Sequence, residues 1–172
     1  MTFRCVTQRC MKAKLLIDND NEYVEIGKGL IVYVSWAKGA TKDDIPKHVT
    51  TLLKLRLLGT DSSRNQNICE ACIENNSPVH VLVIPQAALT SKVQRGKNLQ
   101  YHTQLGKEDG AEAIYLHFVQ LLKDVSKEMI LSLSKHDATD EVQLPIIKAG
   151  TFGNRQALEF SSEGPFTHMF EM

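Results

Sequence analysis

The chain has 172 residues, with 20 basic against 20 acidic side chains, 42% hydrophobic and 6% aromatic content. That length fits one domain burying roughly 70% of the surface of its unfolded chain, and the composition is that of an ordinary globular protein. Balanced charge excludes a global attraction to nucleic acid, so an RNA substrate would be held by a local basic patch with strong salt dependence.

No apolar run reaches the roughly 18 residues of a membrane span, so no membrane association is expected and the cytoplasm is the expected compartment. The four cysteines, Cys5, Cys10, Cys69 and Cys72, contain one Cys-x-x-Cys pair. A zinc site would have to complete that pair from elsewhere, so reduced, partly buried thiols are the expectation and no metal is assigned.

Residues 4–17 alternate imperfectly and carry few breakers, which predicts an opening strand. A polar turn at 18–22 and a return strand over 23–26 complete a hairpin. Residues 29–37 (GLIVYVSWA) form the most continuous β-branched and aromatic run, suited to a central strand covered on both faces. Thr41 or Asp43 can cap a helix over 44–55, with Pro46 in its first turn and Ile45, Val49, Leu52, Leu53 and Arg56 at helical spacing. Residues 56–58 read as a possible start of a strand and 59–66 as a loop.

Residues 79–84 (VHVLVI) form a second strong strand, stopped at Pro85. The stretch 89–110 is polar and rich in Lys, Gln and Gly, a long loop of the kind that is commonly functional. The clearest helix spans 110–127, with Ala113, Ile114, Leu116, His117, Val119, Leu121 and Val125 as its apolar surface. Residues 126–141 read as a helix end and an irregular insertion. Three short strands follow over 142–149, 156–160 and 166–170, separated by turns at 150–154 and 161–164. This order specifies a single α+β domain over residues 1–172, with layered β-sheets and two main helices.

The sequence carries no Gly-x-Ser-x-Gly elbow, no His-Glu-x-x-His helix and no glycine-rich phosphate loop of the Walker kind. His117 is expected to be packed within its helix. His168, on a terminal strand, is expected to be structural or solvent-facing. Two segments stand out instead. Pro85, Gln86, Ala87, Ala88 and Leu89 follow a strand end, and Ser161 to His168 contains Gly164-Pro165, where a residue without Cβ precedes one of fixed φ. Such a pair builds a rigid gate from backbone atoms.

The segments Val6-Thr7-Gln8-Arg9-Cys10, Gly29-Leu30-Ile31-Val32, Pro85-Gln86-Ala87-Ala88-Leu89, Gly150-Thr151-Phe152-Gly153 and Gly164-Pro165-Phe166-Thr167 resemble, in order and approximate spacing, those of the D-aminoacyl-tRNA deacylases. The likeness covers nearly the whole chain and is greatest to the animal-type branch. Pro85-Gln86 stands where the D-specific enzymes carry Ser-Gln, and the runs from Lys97 to His102 and from Gly153 to Gln156 resemble loops of that branch. Ala88 stands where both branches usually carry threonine, and Arg9 matches the D-specific pattern, in which an arginine braces the Gly-Pro segment.

The resemblance implies the deacylase-like fold, a homodimer with its site near the subunit interface, and hydrolysis of the ester at the aminoacylated acceptor end of tRNA without metal or organic cofactor. It assigns main-chain donors to Gln86, Ala87 and Ala88, with no side-chain nucleophile, and substrate contacts to Pro85, Leu89, Gly164, Pro165, Phe166, Thr167 and Arg9. The animal branch accepts L-alanine mischarged on threonine tRNA. A strict D-aminoacyl-tRNA deacylase and a catalytically silent aminoacyl-tRNA binder are the alternatives. Lys92, Arg95 and Lys97 make a small basic cluster suited to tRNA phosphates, with Tyr101 placed to stack on a base.

Overall fold

The computed structural model describes residues 2–59, 64–134 and 142–172. The parts of the expected loop at 59–66 and of the expected insertion at 126–141 that fall on residues 60–63 and 135–141 lie outside the described residues.

The expected opening strand is two strands. β1 (Phe3–Cys10) and β2 (Lys12–Leu16) are separated by a bend at Met11 and enter different sheets. β1 lies in a five-stranded sheet of order β10-β1-β4-β5-β8, built with β4 (Gly29–Trp36), β5 (His80–Pro85), β8 (Ile146–Ala149) and β10 (Thr167–Glu171). β2 joins β3 (Tyr23–Ile26) and β9 (Leu158–Ser161) in a three-stranded sheet. β4 pairs with β5 and β5 with β8 in parallel, whereas β1 pairs antiparallel with both β4 and β10.

Two faces of the larger sheet are covered, and the period-2 alternation of its strands sorts the side chains between them. Leu30, Val32, Val34 and Trp36 of β4, with Val81 and Val83 of β5, enter the larger core beneath the helices. Ile31 of β4, with Leu82 and Ile84 of β5, enters a second core shared with Ala13, Leu15 and Ile26 of the smaller sheet. The continuous apolar runs in β4 and β5 are the signature of strands buried on both faces.

The helical layer contains α1 (Ile45–Lys54), α2 (Ile68–Glu74) and α3 (Ala111–Leu133), three helices where two were expected. Before α1 the Asp44 carboxylate accepts from the Thr41 N–H (2.8 Å) and hydroxyl (2.9 Å), which holds its pKa below the usual carboxylate range. α1 buries Ile45, His48, Val49, Leu52 and Leu53, while Arg56 lies beyond it and is exposed. Residues 56–58 make only an isolated bridge, Leu58 to Gln66. α2 starts at Asn67, whose side chain accepts from the Glu70 N–H at 2.8 Å, while Glu70 accepts from the Asn67 N–H at 3.0 Å.

α3 runs past the expected end at residue 127, and its buried face is Ala111, Ile114, Tyr115, Phe118, Val119, Leu122, Ser126 and Ile130. Ala113 and Leu116, expected on that face, are exposed, and His117 is half-buried. Tyr115 is buried, with its hydroxyl 2.7 Å from the Gly150 carbonyl and 3.2 Å from that of Val83, so it ties α3 to the sheet. Burial pushes its pKa well above that of a free phenol.

All four cysteines are buried and free, with their thiol pKa values raised by desolvation, that of Cys10 to about 11. Among the described residues, no three His, Cys, Asp or Glu side chains stand together to hold a metal ion, and no helix is long and apolar enough to cross a membrane.

Candidate functional site

A cleft of about 490 Å³ opens at the carboxyl ends of β4 and β5, where open parallel sheets present ligand sites. Its floor is Val34, Ser35 and Trp36, one wall is Pro85 to Ala88, and Tyr101, Leu105 and Phe152 line it further. β5 ends at Pro85, and a 3₁₀ turn over Ala87–Thr90 carries the chain across the strand ends.

That turn is held from several sides. The Thr90 hydroxyl, buried, lies 3.1 Å from the Ala87 carbonyl and 3.3 Å from the Ser35 hydroxyl. The Thr103 hydroxyl donates to the Thr90 carbonyl at 2.6 Å, and the Ser91 hydroxyl to that of Ala88 at 2.7 Å. The Gln156 amide reaches the Pro85 carbonyl at 3.3 Å across the cleft. Beneath the floor, the Trp36 indole N–H lies 3.4 Å from His48 Nδ1, and burial lowers the His48 pKa, keeping the imidazole neutral as an acceptor.

Of the three expected main-chain donors, Gln86 is corrected: its N–H is engaged with the Val34 carbonyl at 2.9 Å, extending the β4–β5 ladder. Ala87 and Ala88 begin the 3₁₀ turn, and the first N–H groups of such a turn have no acceptor within it. Leu89 lies just beyond the wall of the cleft. It is not among the cleft-lining residues, and its carbonyl accepts from Arg4 Nη1 at 2.7 Å, while Arg4 also pairs with Glu171 at 2.5 Å. The Thr90 hydroxyl, turned into the protein, offers no substitute for a hydroxyl at Ala88.

Gly164, Pro165, Phe166, Thr167 and Arg9 lie at the opposite end of the sheet. The Arg9 N–H donates to the Phe166 carbonyl at 3.2 Å, Thr167 pairs with Gln8, and Arg9 pairs with Leu30 near the start of β4. Pro85 pairs instead with Val34, near the end of β4. The run from Leu30 to Val34 therefore separates the two groups, about 13 Å at roughly 3.3 Å per residue. Within one chain the structure does not bring them together.

Arg9 meets the Gly-Pro segment at Phe166. Its Nε donates to the Leu57 carbonyl at 2.5 Å and its guanidinium lies 4.4 Å over the Phe166 ring. Gln8 is the residue that reaches Gly164, its Nε2 lying 3.2 Å from that carbonyl. Among the described residues no peptide bond is cis, so Gly164-Pro165 is trans. Lys92, Arg95 and Lys97 are exposed on and around the hairpin of β6 (Lys92–Val93) and β7 (Leu99–Gln100), and Tyr101, just beyond it, lines the cleft.

Comparison with known proteins is consistent along the chain. Residues 6–171 match the family model described as D-Tyr-tRNA(Tyr) deacylase. The chain belongs to that family. It is 37% identical over 173 residues to human D-aminoacyl-tRNA deacylase 2, with 98% of this chain and 94% of that protein covered. It is 36% identical over 176 residues to the zebrafish protein of the same name, with 99% of each covered. The match to these animal proteins supports the animal-type branch of the family.

A solved structure described as a probable eukaryotic D-amino acid tRNA deacylase superposes with a TM-score of 0.80 at 28% identity and full coverage of both chains. The α+β fold expected for a deacylase-family chain is thereby supported. Trp36, Gln104 and Lys107 also line the cleft, as do Phe152 and Asn154, which carried the family resemblance without a site role. Lys107 places a cation there, with its Nζ close to Gly153. The signal available for Phe152 and Asn154 was their place beside Gly153, in a turn following a strand.

Proposed function

We propose that the protein is an aminoacyl-tRNA deacylase that binds the acceptor end of a mischarged tRNA and hydrolyses its ester, acting in translation proofreading in the cytoplasm. The family supports the reaction class, a hydrolase acting on an ester of tRNA. The observation that carries the site is a cleft walled by Pro85 to Ala88 whose turn begins with two N–H groups lacking an acceptor within it.

The terminal adenosine with its acyl group occupies this cleft, and the Ala87 and Ala88 N–H groups stabilise the oxyanion as water attacks the ester carbonyl. No side-chain nucleophile takes part. Fixed donors in a partly dry cleft lower the barrier without reorganising, so geometry carries the rate. L-alanine on threonine tRNA is the favoured substrate, admitted against a Gly164-Pro165 bond that is trans.

The site is completed in a homodimer. Gly164-Pro165 of one chain is set apart from its own cleft by about 13 Å of β4, and meets the cleft of a second copy. Exposed Phe166 and Met169 on and beside edge strand β10 provide apolar surface for such a contact.

Hydrolysis of L-alanyl- and D-alanyl-tRNA on a threonine tRNA body, against spontaneous loss, tests the reading. Cleavage of the L-form is expected. Cleavage of the D-form alone would assign a strict D-specific enzyme, and protection of both esters without turnover would assign a silent binder. Mixing a chain altered at Ala87 with one altered at Gly164-Pro165 is expected to restore up to about a quarter of wild-type activity, because half of freely exchanged dimers then carry one intact site. No recovery on verified exchange would overturn the shared site.

Among the described residues Lys92, Arg95 and Lys97 enter none of the ion pairs, and they contact phosphates of the acceptor end. Replacing any one of them by alanine is expected to lower the slope of log Kd against log salt by about one, the signature of one lost phosphate contact. Filter binding of non-hydrolysable aminoacyl-tRNA from low to moderate salt measures it, and an unchanged slope removes that residue from the interface.

A further inference from the structure

The cleft at the ends of β4 and β5 is almost without charge. Of the residues that line it only Lys107 carries one, and the others are apolar, or neutral and polar like Ser35, Gln86, Gln104 and Gln156. Its own chain therefore gives the cleft one cation and no carboxylate. Lys107 enters none of the ion pairs among the described residues, so no carboxylate cancels its charge. The neighbouring Glu108 and Asp109 are turned to Gly106, whose N–H donates to the Asp109 carboxylate at 3.4 Å.

Backbone geometry on both sides places this ammonium. Lys107 stands in the turn ahead of α3, where its carbonyl accepts from the Gly110 N–H at 3.1 Å and the Gly106 carbonyl from the Asp109 and Ala111 N–H groups, each at 3.2 Å. Its side chain crosses to the turn after β8. A Cβ on Gly153 would stand 2.8 Å from Lys107 Nζ and 2.9 Å from its Cε, so the glycine leaves the space in which the lysine lies. Gly153 has φ +79°, a conformation that also favours a residue without Cβ. α3 begins at Ala111, another lining residue, without a side-chain cap, and its dipole adds a field of the same sign as the lysine.

We propose that Lys107 binds the phosphate joining the terminal adenosine to the nucleotide before it, and so sets which way the adenosine lies in the cleft. The inference rests on reading the cleft as the seat of that adenosine. An aminoacylated RNA end brings two charges here, a negative phosphate and the positive α-ammonium of the acyl group. One cation in an otherwise uncharged cleft attracts the first and repels the second. The phosphate therefore lies at Lys107 and Gly153, and the acyl group turns away from them to Ala87 and Ala88. Lys92, Arg95 and Lys97 line no part of the cleft, which leaves them the phosphates farther from the ester.

The probe is 3′-deoxy-3′-(L-alanylamino)adenosine, in which an amide replaces the ester, titrated with and without a 5′-phosphate by calorimetry. Wild type, Lys107→Gln and Lys107→Arg are compared; the side chain is exposed, so all three are expected to fold. In the wild type the phosphate is expected to tighten binding by about tenfold, the value of one charge-assisted hydrogen bond. In Lys107→Gln the gain is expected to fall below about twofold, since the length is kept and the charge is lost. Lys107→Arg keeps the charge and is expected to retain more of the gain than Lys107→Gln. With L-alanyl-tRNA the loss in Lys107→Gln is expected to fall on KM, as for a contact made equally in the ground and transition states.

An equal phosphate gain in wild type and Lys107→Gln overturns the proposal and leaves the cleft reading standing. If both ligands also weaken together in Lys107→Gln, the lysine is a support for the turn at Gly153 and no more. A loss confined to kcat would set the ammonium at the developing oxyanion and would equally overturn the assignment to the phosphate. Binding of neither ligand by the wild type would mean that the cleft is not the seat of the adenosine, and the proposal falls with that reading.

Discussion

Ala87→Pro lowers kcat for ester cleavage by about 10² to 10³ with little loss of stability, the size of effect found when one oxyanion donor is removed. A main-chain donor is normally beyond the reach of substitution, but this position allows it. Ala87 is the first residue of the 3₁₀ turn, where proline fits the backbone and the missing N–H breaks no internal bond. Gln86 before it has φ −133° and ψ 88°, outside the helical region that a following proline disfavours. Single-turnover hydrolysis with a thermal melt on the same preparation makes the measurement. Wild-type turnover in a folded Ala87→Pro protein would show that the Ala87 N–H does not face the developing charge.

Gly29→Ala is expected to destabilise the fold by several kcal/mol, the range of severe core overpacking, and to leave little native protein at 37 °C. A Cβ on residue 29 would stand 1.8 Å from the His80 carbonyl oxygen and 2.7 Å from its carbon. Those atoms are backbone, at the first paired position of β4 and β5, so no side-chain rotation relieves the clash. Parting the strands there would also strip contacts from Leu30, Ile31, Val81 and Leu82, which are buried on both faces of the sheet. Urea unfolding followed by circular dichroism gives the value. A midpoint equal to wild type would mean that the ladder opens at this end without cost.

Strands β4 and β5 could be read from the sequence because β-branched residues buried on both faces leave a continuous apolar run. α1 was legible from its spacing and Pro46. α2 was overlooked although Asn67 and Glu70 carry the reciprocal pattern of a helix start, because its seven residues give too few turns for apolar periodicity to register. The opening strand was drawn through Met11 since alternation alone does not reveal that residues before and after a bend pair with different sheets.

At the site, Pro85 to Ala88 were legible as a strand end followed by a turn. That the Gln86 N–H belongs to the ladder was not, because strand termini are set by pairing with β4 and not by local preference. Gln8 was overshadowed by its neighbour Arg9. Adjacent strand residues point to opposite faces, and only the pairing of β1 with β10 decides that the amide, and not the guanidinium, meets the Gly164 carbonyl. Lys107 and Gln104 belong to a loop whose path over the cleft depends on contacts remote in sequence, such as the Leu105 N–H on the Trp36 carbonyl at 2.9 Å.

The stretch from Phe3 to Leu16 runs with a single bend through both sheets, placing Phe3 and Cys5 in one core and Cys10, Ala13 and Leu15 in the other. Neither core can open by swinging away a whole segment of its own, since loosening either one pulls on the same backbone. The slowest amide protons of β2 and of β4 should therefore exchange with solvent through one shared global opening, with equal free energies and equal dependence on denaturant, and the smaller sheet should not behave as a separate foldon.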